Sequence, residues 1–160
     1  LIIDGNNALH AIPELASELS RDRNLARDSL LRFLEPIQQN GDSLLTVVFD
    51  GRGDKGKIYQ KDGNKNYTVI YSSSFQGADG VIERMLLAAK FPDRISVATN
   101  DELIRNCAYE SGASTMRIKE LIKKLDCVID QNRVKIEYPK GRGNDSLPNR
   151  LPIPELNQED

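Results

Sequence analysis

Leu1-Ile2-Ile3-Asp4-Gly5-Asn6-Asn7 opens the chain, and its reading decides the fold. A short aliphatic, β-branched run that stops at Asp-Gly reads as a buried strand entering a turn. The same grammar returns at residues 44–49, which end on Asp50-Gly51, and at residues 94–99, which end on Asn100-Asp101. Residues 67–71 alternate and are expected as a further strand, with another short one near Thr115. Helical spacing separates these runs. Residues 25–37 place Ala26, Leu30, Leu31, Phe33, Leu34 and Ile37 at helical intervals, with Pro36 expected to kink or end the helix. Residues 78–90 carry Val81, Ile82, Met85, Leu86 and Ala89 on one side. A third helix is expected from Asp101 to about Glu110, capped by Gly112, and a fourth over 118–125. Residues 51–66, rich in Gly, Lys and Asp, read as a loop, and 132–138 as an edge strand. Strands alternating with helices predict an α/β domain: a mostly parallel sheet with helices on both faces.

The 160 residues suit one such domain, with 29% charged and 39% hydrophobic residues. The net charge of −2 excludes a protein that holds nucleic acid by bulk attraction, so any such contact needs a local basic patch. Two cysteines, Cys107 and Cys127, without CxxC or metal-finger spacing, suit a reducing, cytoplasmic setting. No apolar run approaches the ~20 residues a membrane span needs. No leader is visible, although the chain opens without Met and directly inside an apolar run. The domain is expected over 1–138. Residues 139–160, with Lys140-Gly-Arg-Gly-Asn-Asp-Ser and Pro148, Pro152 and Pro154, have no helical or strand period. They read as a Pro/Gly-rich tail, either flexible or an extended arm.

Three of the strands deliver an acid at or just past their carboxyl ends: Asp4, Asp50 and Asp101. Open parallel sheets bind ligands outside those ends. Asp79 opens the long helix, whose N-terminus points to the same edge. Each Asp alone is explained by a turn or a helix cap. Four like charges on one rim repel and raise their own pKa values unless cations bind. Oxygen donors without nearby His or Cys suit Mg²⁺ or Mn²⁺ rather than zinc. Asn7, Thr99 and Asn100 are polar neighbours able to meet a phosphate or a metal's water. Glu83, four residues after Asp79, either completes the site or pairs with Arg84 or Lys90 on the surface. His10, the only histidine, is expected to pack below the site; a mechanism that needs a pair of histidines is excluded.

Gly51-Arg-Gly-Asp-Lys-Gly-Lys57 follows a strand and nearly matches a P-loop. That motif needs Ser or Thr next and then a helix. Ile58 follows instead, so no ATP site is expected. Arg52, Lys55 and Lys57, with Lys61 and Lys65, form a candidate RNA patch, Tyr59 is a candidate base-stacking ring, and the bland alternative is a solvated hairpin.

Taken in order, Asp4-Gly-Asn-Asn7, Phe49-Asp50-Gly51, Gly77-Ala-Asp79-x-x-Ile82-Glu83 and Thr99-Asn-Asp101 resemble the NYN domain, a branch of the PIN-like nucleases, and most of all its YacP-like bacterial ribonucleases. The likeness is carried from Leu1 to about Leu125. It implies a Rossmann-like three-layer α/β/α sandwich that cuts single-stranded RNA with Mg²⁺ or Mn²⁺, with mRNA at the ribosome as substrate. It puts the catalytic acids on Asp4, Asp50, Asp79 and Asp101 and their polar partner on Asn7. A metal would be held by Asp4, Asp79 and Asp101, with Asp50 as a further ligand or as the group orienting the attacking water, and Glu83 as an additional ligand. RNA contacts would come from Arg52, Lys55, Lys57 and Asn100. Two positions depart from the pattern: Asn6 stands where Tyr is common, and Gly80 where many members carry a second acid. The competing readings are a PIN-like module that binds RNA without cutting it, and a phospho-aspartate enzyme. The latter wants an Asp two residues after its nucleophile, where this chain has Asn6.

Overall fold

Pleated strands send successive side chains to opposite faces, so a strand apolar throughout needs cover on both sides. The computed structural model, which describes residues 1–40 and 44–137, satisfies that need with two cores. Its strands are β1 (Ile2–Asp4), β2 (Leu45–Phe49), β3 (Lys57–Gln60), β4 (Tyr67–Tyr71), β5 (Ser96–Ala98) and β6 (Ser114–Met116). They lie in the order β3-β4-β2-β1-β5-β6, every pair parallel except β3 with β4. The helices are α1 (Gly5–Ala11), α2 (Pro13–Leu19), α3 (Arg23–Gln39), α4 (Gly77–Ala88), α5 (Glu102–Ser111) and α6 (Ile118–Glu137). Ile3, Val47, Phe49, Val69 and Ala98 face α1, α2, α3 and the start of α6. Ile2, Val48 and Val97, one residue out of step, face α4 and α5. The expected α/β/α sandwich with a mostly parallel sheet is the fold. The sheet belongs to the compact unit Leu1–Leu125; the described part of a second unit, residues 126–137, is helical.

Several expectations change. Residues 51–66 are not all loop: β3 and a 3-10 turn, Lys61–Gly63, lie within them. All four β3 residues are exposed on the sheet edge, so burial imprints no apolar alternation there. Pro36 does not end its helix, which runs to Gln39. The carbonyl that Pro36 leaves without a donor belongs to exposed Arg32, and water can satisfy it. The edge strand expected at 132–138 is helix to Glu137. Ile122, Leu125, Ile129 and Ile136 keep helical intervals into that region. Helices α1 and α2 were not foreseen, because seven residues each are too few for a readable period. Asp4 caps the first, and Pro13 starts the second. Gly112 caps α5 as expected, with a φ of 91°. The tail expected at 139–160 lies outside the described residues. No helix among the described residues is long and apolar enough to cross a membrane.

The topology creates the site. From β1 the chain builds outward through β2 and β4. Then α4 carries it back across to β5, on the other side of β1. That reversal leaves a crevice at the carboxyl ends of β2, β1 and β5, the place where open α/β sheets bind ligands.

Candidate functional site

Asp4 ends β1 and caps α1. Its Oδ1 accepts from the Asn7 N–H at 3.3 Å, and its Oδ2 from the Thr99 hydroxyl at 2.9 Å. Thr99, fully buried, also accepts the Asp101 N–H at 3.1 Å, so one hydroxyl joins the ends of β1 and β5. Asp101 caps α5 through the Leu103 N–H at 2.9 Å. Asp50 follows β2, and its Oδ1 accepts the Ala78 N–H at 2.7 Å. Gly77, at φ 73°, makes the left-handed step that brings this N–H round to Asp50. Asp79, one residue on, stands exposed in the first turn of α4.

These carboxylates feel one another. Burial raises the Asp4 pKa; hydrogen bonds from Thr99 and Asn7 oppose that, and the charges of Asp79 and Asp101 add to it. The Asp79 pKa is raised by partial desolvation of its carboxylate, exposed though the residue is, then by Asp101, Asp50 and Glu83. Among the described residues no three His, Cys, Asp or Glu side chains converge as a ready-made metal cage. The arrangement is an open rim, with three of its four aspartates also tied to backbone N–H groups. An ion that keeps several waters and takes one or two carboxylates directly suits such a rim. The donors, all oxygen, fit Mg²⁺ or Mn²⁺.

The raised Asp79 pKa has a consequence for stability. Its folded value lies above the ordinary 3.8, so the folded state keeps a proton that the unfolded state has lost. Stability attached to this group is therefore present at acid pH and is lost as pH rises through the folded value. In chelator, Asp79→Asn is expected to melt with wild type near pH 4 and slightly above it near pH 7. Added Mg²⁺ should close the gap by stabilising wild type alone. Melting curves over that pH range check both statements; a variant less stable than wild type at pH 7 in chelator contradicts the first.

The polar neighbours act differently from expectation. Asn7 Oδ1 accepts the Asn100 N–H at 2.7 Å, while its Nδ2 has no partner among the described residues. Asn100, expected to touch RNA, uses its Oδ1 to accept the Ile118 N–H at 2.9 Å. Thr99 is sealed in the core beneath the rim. His10 does not pack below the site: it is exposed in the last turn of α1. Glu83 makes no ion pair with Arg84 or Lys90 among the described residues, and its charge acts on Asp79. A side chain at Gly80 would meet the flexible Gln76 side chain at 2.7 Å, which can move. Arg52 and Lys55 lie on the connection after Asp50 and Lys57 opens β3 at its end, whereas Asn100 lies beyond β1. Tyr59, a residue 42% exposed, stacks against Tyr71 at 6.2 Å, and desolvation leads the causes that push its phenol up to about 12.

Two residues escaped the sequence reading. Asn6 Oδ1 accepts the Asp50 N–H at 2.8 Å. Adjacent asparagines thus bind the chain ends on either side of β1, Asn6 towards β2 and Asn7 towards β5. Arg27 is buried, donates from Nη2 to the Asp50 carbonyl at 2.8 Å, and lies 5.4 and 5.1 Å from the Phe49 and Tyr71 ring centres. Its signal was legible: Arg27, Leu30, Leu31 and Leu34 follow i, i+3, i+4, i+7, which puts a cation on an apolar stripe.

The family described as the YacP-like NYN domain matches residues 1–158, so the likeness continues past Leu125, where the short motifs stop. The protein YacP of Bacillus subtilis is 28% identical over 151 residues, covering 92% of this chain and 88% of that one. The crystal structure of Rae1 (YacP) from Bacillus subtilis superposes with a TM-score of 0.69 at 25% identity, covering 85% of this chain and 78% of that chain. Its W164L mutant gives a TM-score of 0.70 at 23% identity, with 85% and 80% covered.

Proposed function

We propose, from the premise that this chain belongs to the YacP-like NYN domain family, that it is a Mg²⁺- or Mn²⁺-dependent endoribonuclease acting on single-stranded RNA in the cytoplasm, with mRNA on the ribosome as the substrate class. NYN domains are generally nucleases, and a nuclease or RNA-binding role follows from membership itself. The observation that carries the finer reading is the rim: Asp4, Asp50, Asp79 and Asp101 share the carboxyl edge of the sheet, and charge repulsion helps raise the pKa values of two of them. Such repulsion disfavours a phosphate unless a cation intervenes. Of Asp4, Asp79 and Asp101, one or two would hold that cation directly and the rest through water, with Asp50 or Glu83 as further groups able to reach it. When bound, the ion would polarise the scissile phosphate and lower the pKa of an attacking water.

The chain's own residues prepare the rest. Thr99 and the Asn7 N–H hold the Asp4 carboxylate in one orientation. The Ala78 N–H leaves Asp50 one oxygen, Oδ2, to orient a water or meet the ion. Asn7 Nδ2 is a donor available to a phosphate oxygen. An RNA-binding module without catalysis is the alternative, and four acids along the phosphate path speak against it. The test is cleavage of a labelled single-stranded RNA by the purified protein in Mg²⁺, in Mn²⁺ and in chelator, beside Asp79→Asn. Cleavage that needs the metal and is lost in the variant supports the reading. Tight RNA binding with no cleavage under any of these conditions returns the protein to the binding class.

A further inference from the structure

We propose that a cavity beside Asp50 is a second phosphate subsite, which takes a phosphodiester flanking the one that is cut, with Arg27 at its base. The inference rests on the ribonuclease reading for the identity of its occupant. The cavity, about 320 Å³, is lined by Arg27, Arg52, Lys55 and Lys57, together with Asn24 and Tyr71. Four cations around one hollow in a chain of net charge −2 is a local reversal of sign. Three of them come from one short run, residues 52–57 leading into β3, and the fold brings the fourth, Arg27 on α3, beside them.

Arg27 makes this a built site rather than a solvated surface. The residue is 8% exposed, and α3 and the Phe49 and Tyr71 rings hold its side chain in place. Nη2 is committed to the Asp50 carbonyl, Nε is buried with no hydrogen-bond partner among the described residues, and Nη1, also without one, is the donor a ligand in the hollow can reach. A buried donor left unpaired is costly. A guanidinium without a carboxylate partner is suited to a phosphate oxygen. Its pKa is lowered first by burial; Tyr71 and Asp50 oppose that, and the charges of Arg23 and Arg52 add to it. Asp54, the acid within the lysine-rich connection, does not line it.

Position supplies the link to the rim. Tyr71 ends β4, which is separated from β1 by β2 alone. Two strand spacings, roughly 10 Å, therefore part the hollow from Asp4. An RNA strand laid along the carboxyl edge would meet the cations first, pass Asp50, and present a later phosphate to the aspartates. The arrangement would set the direction in which the strand lies.

The experiment measures binding of a short single-stranded RNA in Mg²⁺ by fluorescence anisotropy, over a range of salt, in an Asp79→Asn background. Arg52→Ala with Lys55→Ala removes two exposed charges from the hollow. Lys90→Ala with Arg94→Ala removes two from the opposite, amino end of the sheet. The first pair should weaken binding about tenfold or more and flatten the salt slope by about 1.4, the value for two phosphate contacts on a single strand. The second pair should change affinity less than about twofold. Arg27→Lys, checked for its melting temperature, should bind several-fold more weakly because it keeps the charge and loses the fork. Equal losses from the two pairs, an unmoved salt slope, or full affinity in a folded Arg27→Lys protein each overturn the subsite. Wild type that binds RNA with the expected pattern yet never cuts it removes the ribonuclease reading and leaves the subsite standing. Wild type that cuts RNA while the first pair binds normally does the reverse.

Discussion

Asp4→Asn should yield a folded protein whose metal-dependent cleavage of single-stranded RNA has fallen by roughly 10³-fold, the upper end of what losing one preorganised electrostatic group costs. Asp4 is the most deeply set of the four acids, at 4% exposure, and the one that both Asp79 and Asp101 influence. Asparagine has the same shape and lacks the charge. The Asn7 N–H keeps an acceptor in the amide oxygen. The Thr99 hydroxyl, which has two lone pairs, can accept from the new amide while still accepting from Asp101. A buried charge is removed, which offsets the cost of leaving the buried Thr99 O–H without its acceptor, so the melting temperature in chelator should stay close to that of wild type. Single-turnover cleavage in Mg²⁺ and a thermal melt, run on the same preparation, check the prediction. Activity within about tenfold of wild type, in a protein that melts normally, would show that Asp4 is not part of the metal rim.

Gly51→Ala should be the most damaging small substitution near the site. A Cβ at Gly51 would lie 2.0 Å from the Ser72 carbonyl oxygen and 3.2 Å from its carbon. That neighbour is backbone and is held: the Ser72 N–H donates to the Phe49 carbonyl at 2.9 Å, and Ser72 Oγ accepts the Gly51 N–H at 3.2 Å. Relief requires parting the ends of β2 and β4. The expected cost is about 3 kcal/mol, the upper part of the range for overpacking, and about 10 °C in Tm. Asp50, the preceding residue, would move with it, so cleavage should fall as well. Gly53→Ala is the control. Its Cβ would find the Lys55 carbonyl at 3.6 Å, an ordinary contact, and should change stability by less than about 0.5 kcal/mol. Two equal losses would mean that the loop's flexibility, and not this close approach, sets the effect.

The same pair of glycines shows how far a linear reading reaches. Both belong to the run that imitates a P-loop, and nothing in the string separates them. Only Gly51 is pressed against another strand. β3 was missed for a related reason. A strand on the sheet edge buries none of its residues, so no apolar alternation announces it. The extent of α3 through Pro36 depended on which way one carbonyl faces. Asn7 and Asn100 were recognised as important polar residues and assigned to a ligand, whereas the folded chain uses each of them to hold backbone.

What the string determined by itself is the rim with which it opens. Aliphatic runs ending in Asp, separated by helical spacing, force a parallel sheet, and a parallel sheet puts all its carboxyl ends on one edge. Residues far apart in number were therefore adjacent before any coordinate was known. Tertiary structure decided what the backbone cannot encode locally. It set the reversal at β1 that opens the crevice, and the burial that raises the pKa of Asp4. It also placed Asn6 and Asn7 as clasps on either side of β1, and a buried Arg27 against a lysine-rich connection. Each of these depends on which side chains meet across sequence gaps of tens of residues. Such meetings are fixed by packing, and periodicity along the chain carries no record of them.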